Sequence, residues 1–483
     1  MTKRKAMFIA GKEAHSESGL EPLLSINPAT GETNYEVDAA GDAEVDEAVT
    51  SAAEACAHKS WRDMLPMQRA RILFAIAEGM EKESESLARF QMLENGKVWS
   101  ECEKQVKSAA ATFRYYASVC EVTGSEVTPS RGSYLSMSVY EPYGVVAAIT
   151  PWNSPLTMEA QKIAPALAAG NAVVLKPSEI TPSAALTVAA IAARAGLPPG
   201  ILNVLPGTGK DAGAALVSHP KVRMVSFTGG TESGRRIAEV AAKKLMPVAL
   251  ELGGKSPHIV FEDADVEKAA AAICEGIFEG SGQSCVAGSR LFVQKSIYKQ
   301  VLDKVVSRAK SIKVDLPDAK GAEMGPLATF SHRQKVEAMV NAARDAGAMV
   351  LAGGVRPAQE GLRRGAFYMP TVLDGINNKS EIAQQEIFGP VLCVLPFENE
   401  DDLIEQANDS AFGLASGVWT ADYKKAWRVA RALEAGTVWV NTYKQLSIST
   451  PFGGFKESGI GREKGVTGMR LYQQAKGLYF SMD

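Results

Sequence analysis

The chain has 483 residues, 46% of them hydrophobic, and 52 basic against 55 acidic side chains give a net charge of -3. One hydrophobic core does not organise so long a chain, so two or three domains are expected, and the charge balance argues against nucleic acid as a partner. The six cysteines (Cys56, Cys102, Cys120, Cys274, Cys285, Cys393) form no CxxC pair and the five histidines are scattered, which speaks against structural disulfides and a metal site.

At the start, Lys3-Arg4-Lys5 precedes an apolar stretch, 6–10, too brief for a secretory h-region, and no run approaches membrane-span length. A soluble, cytoplasmic protein with no membrane partner is expected. The most regular region runs from about 145 to 254. Apolar strand-like segments recur at 145–149, 172–175, 201–205, 224–227 and 248–250, separated by alanine-rich helical stretches such as 183–195. This alternation predicts an α/β fold with a doubly wound parallel sheet, whose ligands bind at the carboxyl ends of the strands.

Ile149-Thr150-Pro151-Trp152-Asn153-Ser154-Pro155 follows the first of these strands. Two prolines stop regular structure there, and Asn153 brings a neutral NH₂ donor. Such a group serves a turn, or it stabilises an oxyanion, a role worth about 3 kcal/mol where it is lost in comparable sites. Leu175-Lys176-Pro177-Ser178-Glu179 lies just past the next strand. Lys176 and Glu179 are there as a solvated pair or as hydrogen-bonding partners of an adenosine ribose. Phe227-Thr228-Gly229-Gly230-Thr231-Glu232-Ser233-Gly234 turns into a helix whose Ile237, Ala241 and Leu245 fall on one face. A glycine turn opening a helix offers backbone N–H groups to a phosphate, although the pattern is not GxGxxG and tight turning alone also explains it.

Glu251 opens Glu251-Leu252-Gly253-Gly254-Lys255-Ser256-Pro257, and Cys285 follows in Phe278-Glu279-Gly280-Ser281-Gly282-Gln283-Ser284-Cys285-Val286-Ala287-Gly288. A thiol that attacks carbon and a carboxylate that activates water are two halves of covalent acyl capture and hydrolysis. A cysteine is more often a small hydrophobe, but Gly282 and Gly288 bracket this one with backbone that other groups approach closely. Gln385-Glu386-Ile387-Phe388-Gly389-Pro390 and Pro451-Phe452-Gly453-Gly454-Phe455-Lys456-Glu457-Ser458-Gly459-Ile460-Gly461-Arg462-Glu463 read as loops by composition.

Together these segments resemble the aldehyde dehydrogenase superfamily over nearly the whole chain. The resemblance implies that Cys285 is the nucleophile, Glu251 the general base, Asn153 the oxyanion donor acting with the Cys285 N–H, and Lys162 a lysine near the nicotinamide end in a proton path. Cofactor contacts are implied for Ile149, Thr150, Pro151, Trp152, Lys176, Ser178, Glu179, Gly209, Phe227, Gly229, Gly230, Thr231, Gly234, Leu252, Glu386 and Phe388, and positions along a substrate tunnel for Ser154, Met158, Gln161, Glu279, Ser284 and Leu446. It also implies a nucleotide-binding domain (1–123 and 142–252), a catalytic domain (253–446), a small β oligomerisation arm (124–141 and 467–483), a connecting segment (447–466), and a homodimer or homotetramer.

The implied reaction is attack of the Cys285 thiolate on an aldehyde, hydride transfer to the nicotinamide, and hydrolysis of the thioester through Glu251. Family members that pass the acyl group to coenzyme A generally lack that glutamate, so hydrolysis is expected. Glu179 accepts hydrogen bonds from a 2'-hydroxyl and repels a 2'-phosphate, which favours NAD. NADP remains open if Glu179 rotates away and leaves Lys176 and Ser178 to a phosphate. Gln161 and Glu279 suit a polar, hydroxylated or ring-derived aldehyde, and an anionic one has to avoid Glu279, unless that carboxylate turns outward to an arginine. A non-redox thioester hydrolase or acyltransferase and an inactive binding protein of the same fold are the alternatives.

Overall fold

Valine- and alanine-rich runs that are buried on both faces cannot alternate with polar residues, and they build the centre of the molecule as parallel strands. In the computed structural model, which describes residues 4–483, Val248–Glu251, Val222–Thr228, Val145–Ile149, Ala172–Lys176 and Leu202–Val204 lie side by side in this order, all parallel. Gly459–Ile460 is added antiparallel at one edge, and Met7–Ile9 and Lys12–Ala14 at the other, which makes eight strands. From Val145–Ile149 the chain first winds toward Leu202–Val204 and then returns to build the opposite side. That reversal is a topological switch point, where open parallel sheets form a ligand crevice at the strand ends.

A second, seven-stranded sheet runs in the order Met349–Ala352, Thr371–Asp374, Val391–Phe397, Arg290–Gln294, Pro257–Val260, Ala415–Trp419 and Thr437–Val440, with an antiparallel pair at its Met349 edge. A third is antiparallel: Tyr134–Pro142 pairs with Glu126–Thr128 on one side and along its full length with Gln473–Ser481 on the other. The stretch 447–466 is more than a connection. Its Gly459–Ile460 pairs with the strand that carries Glu251, and its Phe455–Lys456 pairs with Phe412–Gly413. One apolar core joins residues between Met7 and Leu252 and reaches Met469 and Tyr472, while separate clusters fill the second sheet. No helix among the described residues is long and apolar enough to cross a membrane.

One expectation is corrected. The helix after the glycine turn is Thr231–Lys244, and Leu245 lies past its end with φ of +49° and 92% exposure. Ala241 is buried as expected, but the left-handed turn swings Leu245 out of the face and Met246 returns to the core in its place.

The Cys285 loop is held by close backbone packing. Helix Val266–Phe278 ends in three successive left-handed residues, Gly280, Ser281 and Gly282, at φ of +64°, +57° and +71°. Ser281, which has a Cβ, is held there by Oγ donating to Gly325 O at 2.8 Å. Gln283 fastens the next step, accepting from Ala328 N at 2.8 Å and donating to Gly280 O at 3.1 Å. A Cβ on Gly282 would lie 2.1 Å from the carbonyl oxygen of Gly389, and one on Gly254 would lie 2.4 Å from that of Cys285. Gly282→Ala should therefore cost about 3 kcal/mol from backbone strain and overlap together. Gly361→Ala, where an added Cβ meets nothing within 4 Å, should be close to neutral. Calorimetric melting temperatures of the two variants check this.

Candidate active site

The sheet registers set the chemistry in a row. Across four adjacent strands Thr228 pairs with Glu251, Phe227 with Ile149, and Ile149 with Lys176. All lie at carboxyl ends, so loops leaving this row converge on the crevice. A cavity of about 560 Å³ opens there, and it brings together Cys285, Glu251, Asn153, Ser284, Pro151, Trp152, Gly229, Gly230, Leu252, Glu386 and Phe388. The expected tunnel residues Ser154, Met158, Gln161, Glu279 and Leu446 line it as well.

Cys285 is half-buried at the cavity wall. Dense surroundings, and then the carboxylates of Glu386 and Glu251, push its thiol up to about 12, with Lys464 acting in the opposite direction. Glu251 is 5% exposed and its Oε2 has no hydrogen-bond partner. Burial and the neighbouring Glu463 raise its carboxyl well above the usual range, against the pull of Lys162, Arg462 and Lys464. The turn at Gly453 lies against it, since a Cβ there would fall 2.8 Å from Glu251 Oε1. Asn153 Nδ2 donates to Gln283 O at 2.9 Å, which orients the amide and leaves its second N–H uncommitted.

Lys162 does not reach the cavity. It is fully buried, with Nζ donating to Glu463 Oε1 at 2.7 Å and to Ser226 Oγ at 3.0 Å, and Ser226 in turn accepts from Tyr472 OH at 2.9 Å. Glu463 does line the cavity, so it stands between Lys162 and the Glu251 side. Reciprocal backbone hydrogen bonds with Phe452, both at 2.8 Å, fix its position. Glu463 and Lys464 carry no role in the sequence reading. Glu463 was visible only as the end of a glycine-rich motif, and Lys464 owes its place to a left-handed turn, φ +62°.

The cofactor positions divide in two. Near Cys285, Glu386 Oε1 accepts from Gly254 N at 3.0 Å, and Phe388, at φ +55°, meets the Trp152 ring edge-on at 5.3 Å. His332, unanticipated, shares a 2.7 Å hydrogen bond with Phe388 O. Ile149, Thr150, Lys176, Ser178, Glu179, Gly209, Phe227, Thr231 and Gly234 lie outside the cavity lining, along the strand ends and the turns that follow them. Lys176 Nζ donates to Gly207 O at 2.7 Å and Pro177 O at 2.9 Å and lies 3.7 Å from Glu179. Gly209 begins the turn Gly209–Gly213, and Gly213 packs on the Lys176 stem. Gly229 gives its N–H to Glu251 O, so it is not free for a phosphate. Beyond it, Gly230 has no side chain to cap helix Thr231–Lys244, and the first-turn amides stay open to an anion.

In the tunnel, Ser154 Oγ accepts from Gln105 Nε2 at 3.2 Å. Glu279 is 3.6 Å from Lys444 while still lining the cavity, so its partner is a lysine and not an arginine.

Known proteins resemble the chain over nearly its whole length. The model of the aldehyde dehydrogenase family matches residues 15–478. Retinal dehydrogenase 2 of Homo sapiens is 42% identical over 98% of this chain and 91% of its own length. (Z)-2-((N-methylformamido)methylene)-5-hydroxybutyrolactone dehydrogenase of Acinetobacter baylyi is 41% identical over 99% of this chain and 96% of its own. The structure of an aldehyde dehydrogenase from Bacillus cereus in complex with NAD+ is similar at a TM-score of 0.97 and 38% identity, covering 100% of this chain and 97% of that one. The chain belongs to the aldehyde dehydrogenase family.

Proposed function

We propose that the chain oxidises a polar aldehyde to its carboxylic acid through a thiohemiacetal and a thioester on Cys285, with NAD preferred to NADP. The observation that carries this reading is the convergence of Cys285, Asn153 and a buried Glu251 with one unpartnered oxygen on a single cavity. The thiol proton passes to water in the cavity as sulfur attacks the carbonyl carbon, and Lys464, which faces both Cys285 and Glu251, favours the anionic form of either. The second N–H of Asn153 holds the oxyanion. Glu251 then takes a proton from the water that hydrolyses the thioester and returns it to the cavity water, with the Glu463–Lys162 pair beside it.

The crevice suits a dinucleotide. Hydroxyls of Thr150, Thr228 and Thr231 are buried without partners there, beside the open amides of helix Thr231–Lys244. Lys176 and Glu179 would hold the adenosine ribose and Glu386 the nicotinamide ribose, beside Phe388. When bound, the nicotinamide supplies the hydride acceptor. Because two backbone carbonyls already occupy Lys176, a 2'-phosphate would meet Glu179 with little compensation.

The parts built on the eight- and seven-stranded sheets take the nucleotide-binding and catalytic roles. The exposed Val127, Tyr479 and Phe480 support self-association into a dimer or tetramer through the three-stranded arm, and six free cysteines support a reducing, cytoplasmic setting. Polar substrates are supported by Gln161, Gln105 and the charged groups of the cavity. Acyl transfer without redox chemistry leaves the dinucleotide crevice unexplained, and an inactive binding protein leaves the catalytic convergence unexplained.

Five outcomes check this reading. Asn153→Ala should lower kcat about a hundredfold, and Glu463→Gln should lower it less, in steady-state NADH formation. Iodoacetamide labelling of Cys285, followed by peptide mass, should rise without a plateau over about pH 6 to 9, because the thiol is held up and the thiolate fraction grows with pH. Glu386→Gln removes a negative neighbour, so labelling should be faster at every pH in that range. Glu179→Gln should narrow the preference for NAD over NADP in kcat/KM about tenfold.

A further inference from the structure

We propose that the mouth of the substrate cavity is a carboxylate-binding site, in which Lys97 and Lys444 hold the acidic end of an aldehyde that carries one. This deepens the aldehyde-oxidising reading above and rests on it.

Both lysines project from rigid backbone. Lys97 follows Gly96, at φ +76°, whose close neighbours are the rings of Pro326 and Pro28, and Lys97 N donates to Asn95 Oδ1 at 3.1 Å. Its ammonium rests against Gly280, where a Cβ would lie 2.8 Å from Nζ. Glu101 is tied to the same residue, Oε1 accepting from Gly280 N at 2.9 Å. Lys444 sits in a left-handed turn, φ +55°, and enters the cavity from the seven-stranded side. The two lysines therefore approach from different parts of the chain and meet at the end of helix Val266–Phe278.

The neighbouring carboxylates do not saturate them. Lys97 is 3.7 Å from Glu101 and Lys444 is 3.6 Å from Glu279, both beyond hydrogen-bond length. The side chains are only 10% and 17% exposed, and the one hydrogen bond from the Lys444 ammonium is a long one, 3.4 Å to Glu275 O. Each ammonium has three N–H groups, so donors remain for a ligand oxygen. Lys104, exposed at the rim, also lines the cavity on this side. Burial pulls the Lys444 ammonium below its usual range and Lys97 presses it further down, while Glu279, Glu101 and Glu275 hold it up in part. A carboxylate placed between the lysines accepts from the N–H groups that Glu101 and Glu279 leave unfilled, and charge-assisted hydrogen bonds of this kind are about twice as strong as neutral ones. Glu279, expected to repel an anionic substrate, lies 3.6 Å from Lys444, which offsets part of its charge.

The test compares kcat/KM for the semialdehydes of succinate and glutarate with that for their methyl esters, which keep the shape and lose the charge. Propanal serves as the neutral reference. At least one acid should exceed its ester about tenfold or more. Lys444→Met and Lys97→Met should each reduce that ratio mainly through KM, and Glu279→Gln should raise it. Independently of turnover, glutarate should slow iodoacetamide labelling of Cys285 in the wild type and not in Lys444→Met. Esters equal to or better than the acids, with propanal oxidised and no glutarate protection, overturn the carboxylate site and leave aldehyde oxidation intact. No NADH from any aldehyde instead contradicts the aldehyde-oxidising reading, and glutarate protection then still decides the anion site.

Discussion

The site depends on how closely backbone can approach backbone around Cys285. Gly282 lies against Gly389, Gly254 against the Cys285 carbonyl, and Gly453 against the Gly461 carbonyl beside the Glu251 carboxylate, each backbone contact at a distance that a side chain would forbid. These contacts join segments from both large sheets and from the stretch 447–466. Without them Cys285 and Glu251 would belong to separate parts of the molecule. Ser281 and Gln283 then fix the loop with side-chain hydrogen bonds, so the left-handed path is set by its neighbours and not by glycine alone.

Burial makes the same region electrostatically tense. Cys285 and Glu251 are both pushed toward their neutral forms, and the nearby cations Lys162, Arg462 and Lys464 offset this only in part. A thiol and a carboxyl poised this way gain most from a reaction that draws charge through them in turn. The Lys162–Glu463 pair belongs to a buried chain of hydrogen bonds that begins at a cavity-lining carboxylate and runs to Ser226 and Tyr472.

Much of this was legible in the sequence because the signals were local. The apolar runs at 145–149 and 172–175 are buried strands as their composition predicts, and the residues after them lie at carboxyl ends as the parallel arrangement requires. Glycine context and chemistry singled out Cys285 and Glu251 as candidates, and the family resemblance gave them their roles. What was not legible depends on tertiary contact. Periodicity placed Leu245 in a helix face, but a left-handed turn that no local pattern announces put it into solvent. The partner of Glu279 is Lys444, 165 positions further along (279 to 444), and nothing near either residue announces the pair. Gly229 looked like a phosphate donor, and only the strand pairing reveals that its N–H is already taken by Glu251.

The most direct test of covalent catalysis is the intact mass of Glu251→Gln mixed with NAD and an oxidisable aldehyde, quenched within the first turnover. A shift by one acyl group that maps to Cys285 and decays slowly is predicted, since the thioester forms but the water that cleaves it lacks its base. An unmodified protein that still turns over at the wild-type rate would contradict both the assignment of Glu251 and the thioester route.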